Sequence, residues 1–133
     1  MQIAMNNTRI LLVDDNVMVA RLVAMRLQET GRYTVRVENS PNSAAGAHRE
    51  FQPHLWLFDV DMHGITGPEL VKKLRREPGG ADMPTIFLTS LVSVEDTPEN
   101  ELMSNGNRYL AKAAPIEVIA RCIDRALGQE VSA

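Results

Sequence analysis

Asp59 closes an apolar run, Leu55-Trp56-Leu57-Phe58, and is followed by Val60-Asp61-Met62-His63-Gly64, which puts a carboxylate where a buried segment opens into a loop. A second acidic pair, Asp14-Asp15, ends the run Ile10-Leu11-Leu12-Val13, and Thr89-Ser90 and Lys112 end or follow two further runs. In a parallel sheet all of these positions lie along one edge, because ligand sites form beyond the carboxyl ends of the strands. Three carboxylates, a hydroxyl and an ammonium then share one pocket. Carboxylates about 4 Å apart repel by roughly 4 kcal/mol per pair at an effective dielectric of about 20, so such a pocket requires a cation or a shifted protonation state.

The elements that must hold these residues are legible in the same sequence. Short apolar runs alternate five times with segments of helical period, the pattern of a doubly wound α/β sheet. Strands are expected at residues 9–13, 34–37, 55–58, 85–88 and 108–111. The runs ending at Val13 and Phe58 do not alternate with polar residues, as suits central parallel strands covered on both faces. Trp56 and Phe58, at alternating strand positions, are expected to pack under helices.

After Asp15, the apolar residues Val19, Leu22, Val23 and Leu27 recur at helical spacing, and Gly31 supplies a left-handed stop. Ser40-Pro41 reads as N-cap and first residue of a second helix, Thr97-Pro98 as the same pair for a fourth, and Pro115 opens a fifth that Gly128 ends. The third helix carries Leu70, Val71 and Leu74 on its apolar side and Lys72, Lys73, Arg75 and Arg76 on a solvated one. The fourth is expected to be short and mobile, since about two turns fit between Thr97 and Asn105-Gly106. Residues 1–7 and 129–133 are read as frayed tails around one domain at 8–128.

A chain of 133 residues with 44% hydrophobic content can form one core without disulfides. Its single cysteine, Cys122, shares an apolar helix face with Ile119, Ile123 and Ala126 and reads as a packing residue. No run approaches the roughly 18 to 20 apolar residues of a membrane span. The first seven residues lack the basic and apolar regions of a signal peptide, so a cytoplasmic location without membrane association is expected. A net charge of −3, with basic residues interleaved among acidic ones, argues against direct nucleic-acid binding.

Asp14-Asp15, Asp59, Thr89-Ser90 and Lys112, in this order and at these separations, resemble the active site of receiver domains of two-component response regulators, chemotaxis-regulator-like and single-domain. Gly67-Pro68-Glu69-Leu70 and Tyr109, three residues before the lysine, strengthen the likeness, which spans about residues 8–128. The resemblance implies a flavodoxin-like fold: a five-stranded parallel sheet of order 2-1-3-4-5 with five helices in three α/β/α layers. It also implies that Asp59 accepts a phosphoryl group from a sensor histidine kinase or phosphotransfer protein. Asp14, Asp15, Asp59 and the backbone carbonyl of Asp61 would hold Mg2+, for which Mn2+ can substitute. Lys112 would pair with the phosphoryl oxygens, while Thr89 and Tyr109 move as the switch; Asp61, His63 and Ser90 are candidate modulators of the site. The face formed by the fourth helix, fifth strand and fifth helix would bind an effector protein, with no turnover of an external substrate.

The physics is compatible with those roles. Magnesium prefers oxygen ligands and is usually bound by one or two carboxylates together with phosphate oxygens. A carboxylate attacking phosphorus gives an aspartyl phosphate, in a reaction that depends mainly on positioning and charge neutralisation.

The chain departs from the family pattern at three positions. His63 stands where proline is common four residues after the nucleophile, and loop histidines are more often solvated than functional. Ala113 follows Lys112 where the family often has a cis proline; cis geometry before alanine costs about 3 kcal/mol, so a trans Lys112–Ala113 bond is expected. Asp61 is an added carboxylate that faces either the phosphoryl group or solvent. Two competing readings stay open. Asp59-Val60-Asp61 looks like the Asp-x-Asp motif of haloacid-dehalogenase-type phosphatases, although that family's metal-binding acidic pair comes late in the chain. A receiver-shaped interaction module that no longer uses phosphate is the other.

Overall fold

The computed structural model describes residues 7–90, 102–104 and 107–128. Five strands, β1 (Thr8–Val13), β2 (Tyr33–Glu38), β3 (Leu55–Asp59), β6 (Thr85–Thr89) and β8 (Asn107–Ala111), pair in parallel in the order β2-β1-β3-β6-β8. This is the expected 2-1-3-4-5 sheet. Between β3 and β6 lie two short antiparallel strands, β4 (Asp61–Met62) and β5 (Ile65–Thr66). Four α-helices are described: α1 (Val17–Glu29), α2 (Ala44–Phe51), α3 (Gly67–Leu74) and α4 (Ile116–Ala126).

Side chains from the two faces of the sheet form two separate cores, as strand alternation requires. Ile10, Leu12, Leu55, Leu57, Ile86, Leu88 and Leu110 pack with α1 and α4. Leu11, Val13, Trp56, Phe58 and Phe87 pack with α2 and α3. Every residue of β3 is buried, so the strand that ends in Asp59 is the best-anchored one. Trp56 and Phe58 stack at 5.5 Å between ring centroids under α2 and α3, as expected. Cys122 is fully buried in the other core.

The helix boundaries follow the caps. Asn16 accepts from the Val19 N–H at 3.1 Å to start α1, and Gly31 takes φ +78° just beyond its end. Ser40 does cap, but what it opens is a 3-10 turn (Pro41–Ser43) that leads into α2. Thr66 and Glu69 form a reciprocal capping box at α3. Pro115 opens α4 and Gly128, at φ +71°, follows it, as read from the sequence. The Lys112–Ala113 peptide is trans.

Two further readings change. The helix expected after Thr97-Pro98 falls largely outside the described residues, but its last residues, Leu102–Ser104, are a strand, β7. That strand pairs antiparallel with β8 and adds a sixth, edge position to the sheet. Its ladder pairs Leu102 with Tyr109 and Ser104 with Asn107. Arg75 is not a solvated bystander: its guanidinium lies 5.4 Å from the Trp56 ring centroid and donates to the carbonyls of Gly80 and Met83 at 3.0 and 2.7 Å. His48 and His54 are structural: His48 Nδ1 accepts from the Trp56 indole N–H at 3.2 Å, and His54 Nδ1 accepts from the Arg9 N–H at 2.9 Å. The expected tails fall outside the described residues, apart from Asn7.

Candidate functional site

The carboxyl ends of β1, β3, β6 and β8 converge on one edge. Register brings them level: Val13 pairs with Phe58, Asp59 with Leu88 and Thr89 with Ala111, so Asp14, Asp59, Thr89 and Lys112 leave the sheet side by side. Asp14, Asp59 and Thr89 are buried there. Lys112 is held at its backbone, where its N–H donates to the Thr89 carbonyl at 3.0 Å. Its Nζ lies 3.1 Å from both Asp14 Oδ2 and Asp59 Oδ1. One ammonium therefore bridges two buried carboxylates.

Asp14 is fixed on its other side as well. Its Oδ1 accepts from the Asn16 N–H at 2.9 Å, and Asn39 donates to its backbone carbonyl, also at 2.9 Å. Asp14 Oδ2 is buried and is met by the Lys112 ammonium. Asp15, the next residue, meets the β4–β5 hairpin: its Oδ2 accepts from the His63 N–H at 2.8 Å and from His63 Nδ1 at 2.6 Å. The hairpin is a two-residue loop, His63-Gly64, with Gly64 at φ +85°.

These contacts set the protonation preferences. Burial, and then the Asp14 carboxylate, push the Asp59 carboxyl above the ordinary aspartate range, against the pull of Lys112. The His63 N–H and then its imidazole hold Asp15 below that range, and the Asp15 carboxylate raises His63 in turn. Desolvation works to lower Lys112, but the Asp14 and Asp59 carboxylates outweigh it and hold the lysine above its ordinary value.

Carboxylate oxygens of Asp14, Asp15 and Asp59 all lie within 4.8 Å of one another. With the buried Asp14 Oδ2 satisfied, among the described residues, only by the Lys112 ammonium, this hard-oxygen set fits a small divalent cation, Mg2+ or Mn2+.

Of the remaining expected residues, Ser90 and Asp61 are exposed, Asp61 at the start of β4. Tyr109 is half-buried and stacks on Phe87 at 5.2 Å between centroids. Three contributors were not read from the sequence. Asn16, a side chain of N-cap type just ahead of an apolar-periodic segment, carried a readable signal. Asn39 carried none. Gly67 was noted only as a family-like feature, yet a Cβ there would lie 2.4 Å from the Asp59 carbonyl oxygen and 3.0 Å from the Phe87 ring.

Comparison with known proteins places this geometry in context. The response regulator receiver domain family matches residues 10–124. The chain is 31% identical over 110 residues to a probable transcriptional regulatory protein, TcrX, of Mycobacterium tuberculosis, covering 83% of this chain and 45% of that protein. It is 32% identical over 114 residues to the phosphate regulon transcriptional regulatory protein PhoB of Escherichia coli, covering 85% and 49%. It thus spans about half the length of these relatives. Among solved structures, the chemotaxis protein CheY4 of Vibrio cholerae superposes with a TM-score of 0.75 at 26% identity, covering 91% of this chain and 99% of that one. With the sheet order, the acidic edge and the match along nearly all of its length in agreement, the chain belongs to the response regulator receiver domain family.

Proposed function

We propose that Asp59 is the phosphoryl acceptor of this receiver and that Asp14, Asp15 and Lys112 are the groups that make it one. The single observation that carries this reading is the bridge from Lys112 Nζ to Asp14 and Asp59, both at 3.1 Å, inside a set of three carboxylates. An ionised Asp59 oxygen attacks phosphorus while the bond from phosphorus to the donor's imidazole nitrogen breaks. The nitrogen keeps that electron pair and takes a proton. Lys112 stays next to the carboxylate throughout and offsets charge on the arriving phosphoryl oxygens. Asp14, Asp15, Asp59 and the Asp61 carbonyl would hold Mg2+, which supplies electrostatic neutralisation between carboxylates and phosphoryl oxygens when bound. Later hydrolysis of the acyl phosphate restores Asp59, so the chain acts on its own side chain and turns over no external substrate.

Thr89, buried at the end of β6, would turn its hydroxyl toward a phosphoryl oxygen. Tyr109 would follow through Phe87, whose ring it stacks on and whose edge abuts Gly67 behind Asp59. The event is a local change of charge that biases a two-state element, with β8 and α4 as part of the face read by an effector protein. The donor is a histidine kinase or phosphotransfer protein, and it seats over α1. That helix begins beside the acidic pair and exposes Val17, Met18, Leu22 and Met25.

Intact-mass measurement after incubation with Mg2+ and acetyl phosphate tests the acceptor. One added phosphoryl group on the wild-type chain, absent from Asp59→Asn, is the expected result. Equal labelling of the two would overturn it.

A further inference from the structure

His63 is fully exposed as a side chain, yet it makes the most heavily bonded contact of the acidic pair. Both its backbone N–H, at 2.8 Å, and its Nδ1, at 2.6 Å, converge on the same oxygen, Asp15 Oδ2. An ionised carboxylate only accepts, so Nδ1 carries the proton and donates. The residue that presents it is firmly held. His63-Gly64 is the tip of a hairpin whose strands pair Asp61 with Thr66 and Met62 with Ile65. On one side Met62 is buried in the core, and on the other Thr66 is locked into the capping box of α3. The hairpin thus reaches across the mouth of the pocket from the β3 side and clasps a residue of the β1–α1 loop.

Asp14 is oriented in a parallel way, with one oxygen bound to the Asn16 N–H and the other facing Lys112 inside the pocket. A carboxylate that must present one oxygen to a cation loses rotational freedom on binding, and a hydrogen bond that has already fixed it removes that cost. Resting on the cation site proposed above, we infer that His63 is a positioning residue for that site. Its Nδ1–H pins Asp15 Oδ2 so that the other Asp15 oxygen is held ready for the divalent ion. Proline at this position, common in the family, could donate neither bond.

The backbone N–H survives any substitution other than proline, so side-chain variants isolate the imidazole. Because the side chain is solvent-exposed, His63→Ala is expected to leave the metal-free melting temperature unchanged. Mn2+ binding, followed by loss of the free-ion paramagnetic resonance signal at one fixed pH, is expected to weaken about tenfold in His63→Ala. His63→Asn, whose amide N–H comes close to the position of Nδ1, is expected to recover most of that loss. His63→Gln, whose amide corresponds to Nε2, is not. Equal affinity of His63→Ala and wild type would overturn the inference, as would a loss that asparagine does not repair. Absence of Mn2+ binding by the wild-type chain would overturn the cation site itself and this role with it.

Discussion

Asp59 shows how a single residue carries opposing demands. Its nucleophilic form is the ionised one, yet burial and the neighbouring Asp14 favour the neutral form, and only Lys112 and the Asp61 backbone pull the other way. Because the native pKa is raised, protonating Asp59 favours the fold. That stabilisation is complete below the ordinary aspartate value of 3.8 and disappears as pH rises through the raised native value. Above it, the ionised carboxylate is a standing cost. In metal-free buffer near neutral pH, Asp59→Asn is therefore expected to melt a few degrees higher than wild type, with the gap closing as pH falls toward 4. Thermal melts across that range check this, and an asparagine variant that melts lower at neutral pH would sink it.

At the scale of elements, the site depends on how closely the turn into α3 approaches the end of β3. Gly67 donates its N–H to the Val60 carbonyl at 2.8 Å, and its missing side chain leaves room for the Asp59 carbonyl. Backbone cannot give way as a flexible side chain can. Gly67→Ala is expected to lose about 1–3 kcal/mol of stability, together with part of the phosphorylation rate. Urea unfolding measures the first, and wild-type stability would show that the approach is looser than it looks. On α1, Met18→Glu and Leu22→Glu change side chains that are 72% and 45% exposed, so the fold should tolerate them. Transfer from a phosphohistidine protein is expected to slow about tenfold, equivalent to ~1.4 kcal/mol, while labelling by acetyl phosphate stays unchanged. Loss of both would point to damage at the site rather than at a docking face.

At the scale of the whole molecule, one sheet with a core on each face carries a charged cluster on a single edge. Repulsion there is tolerated because the rest of the fold is apolar and well anchored. A cation that binds only the folded state stabilises it by mass action, by about 2.7 kcal/mol at a hundred times its dissociation constant. Mg2+ is therefore expected to raise the melting temperature, EDTA to reverse the rise, and Asp15→Asn to blunt it. A melting temperature indifferent to Mg2+ in the wild-type chain would remove the cation site. No helix among the described residues is long and apolar enough to cross a membrane.

The strands could be read from the chain because a parallel strand buried on both faces is an unbroken apolar run, and the carboxylates that end those runs are conspicuous against it. Asp14, Asp15, Asp59 and Lys112 were legible for that reason, and so were the stops at Gly31 and Gly128. Periodicity is a local signal, and it failed where the outcome is non-local. Residues 102–104 were assigned to the helix that Thr97-Pro98 was read as opening, whereas pairing with β8 makes them a strand. Asp59-Val60-Asp61 suited two families by motif alone. Tertiary structure gave its two aspartates different surroundings, burying Asp59 against Lys112 and leaving Asp61 at the surface. The clasp of His63 on Asp15 spans 48 residues, and no spacing rule predicts which loops a twisted sheet brings together at its edge.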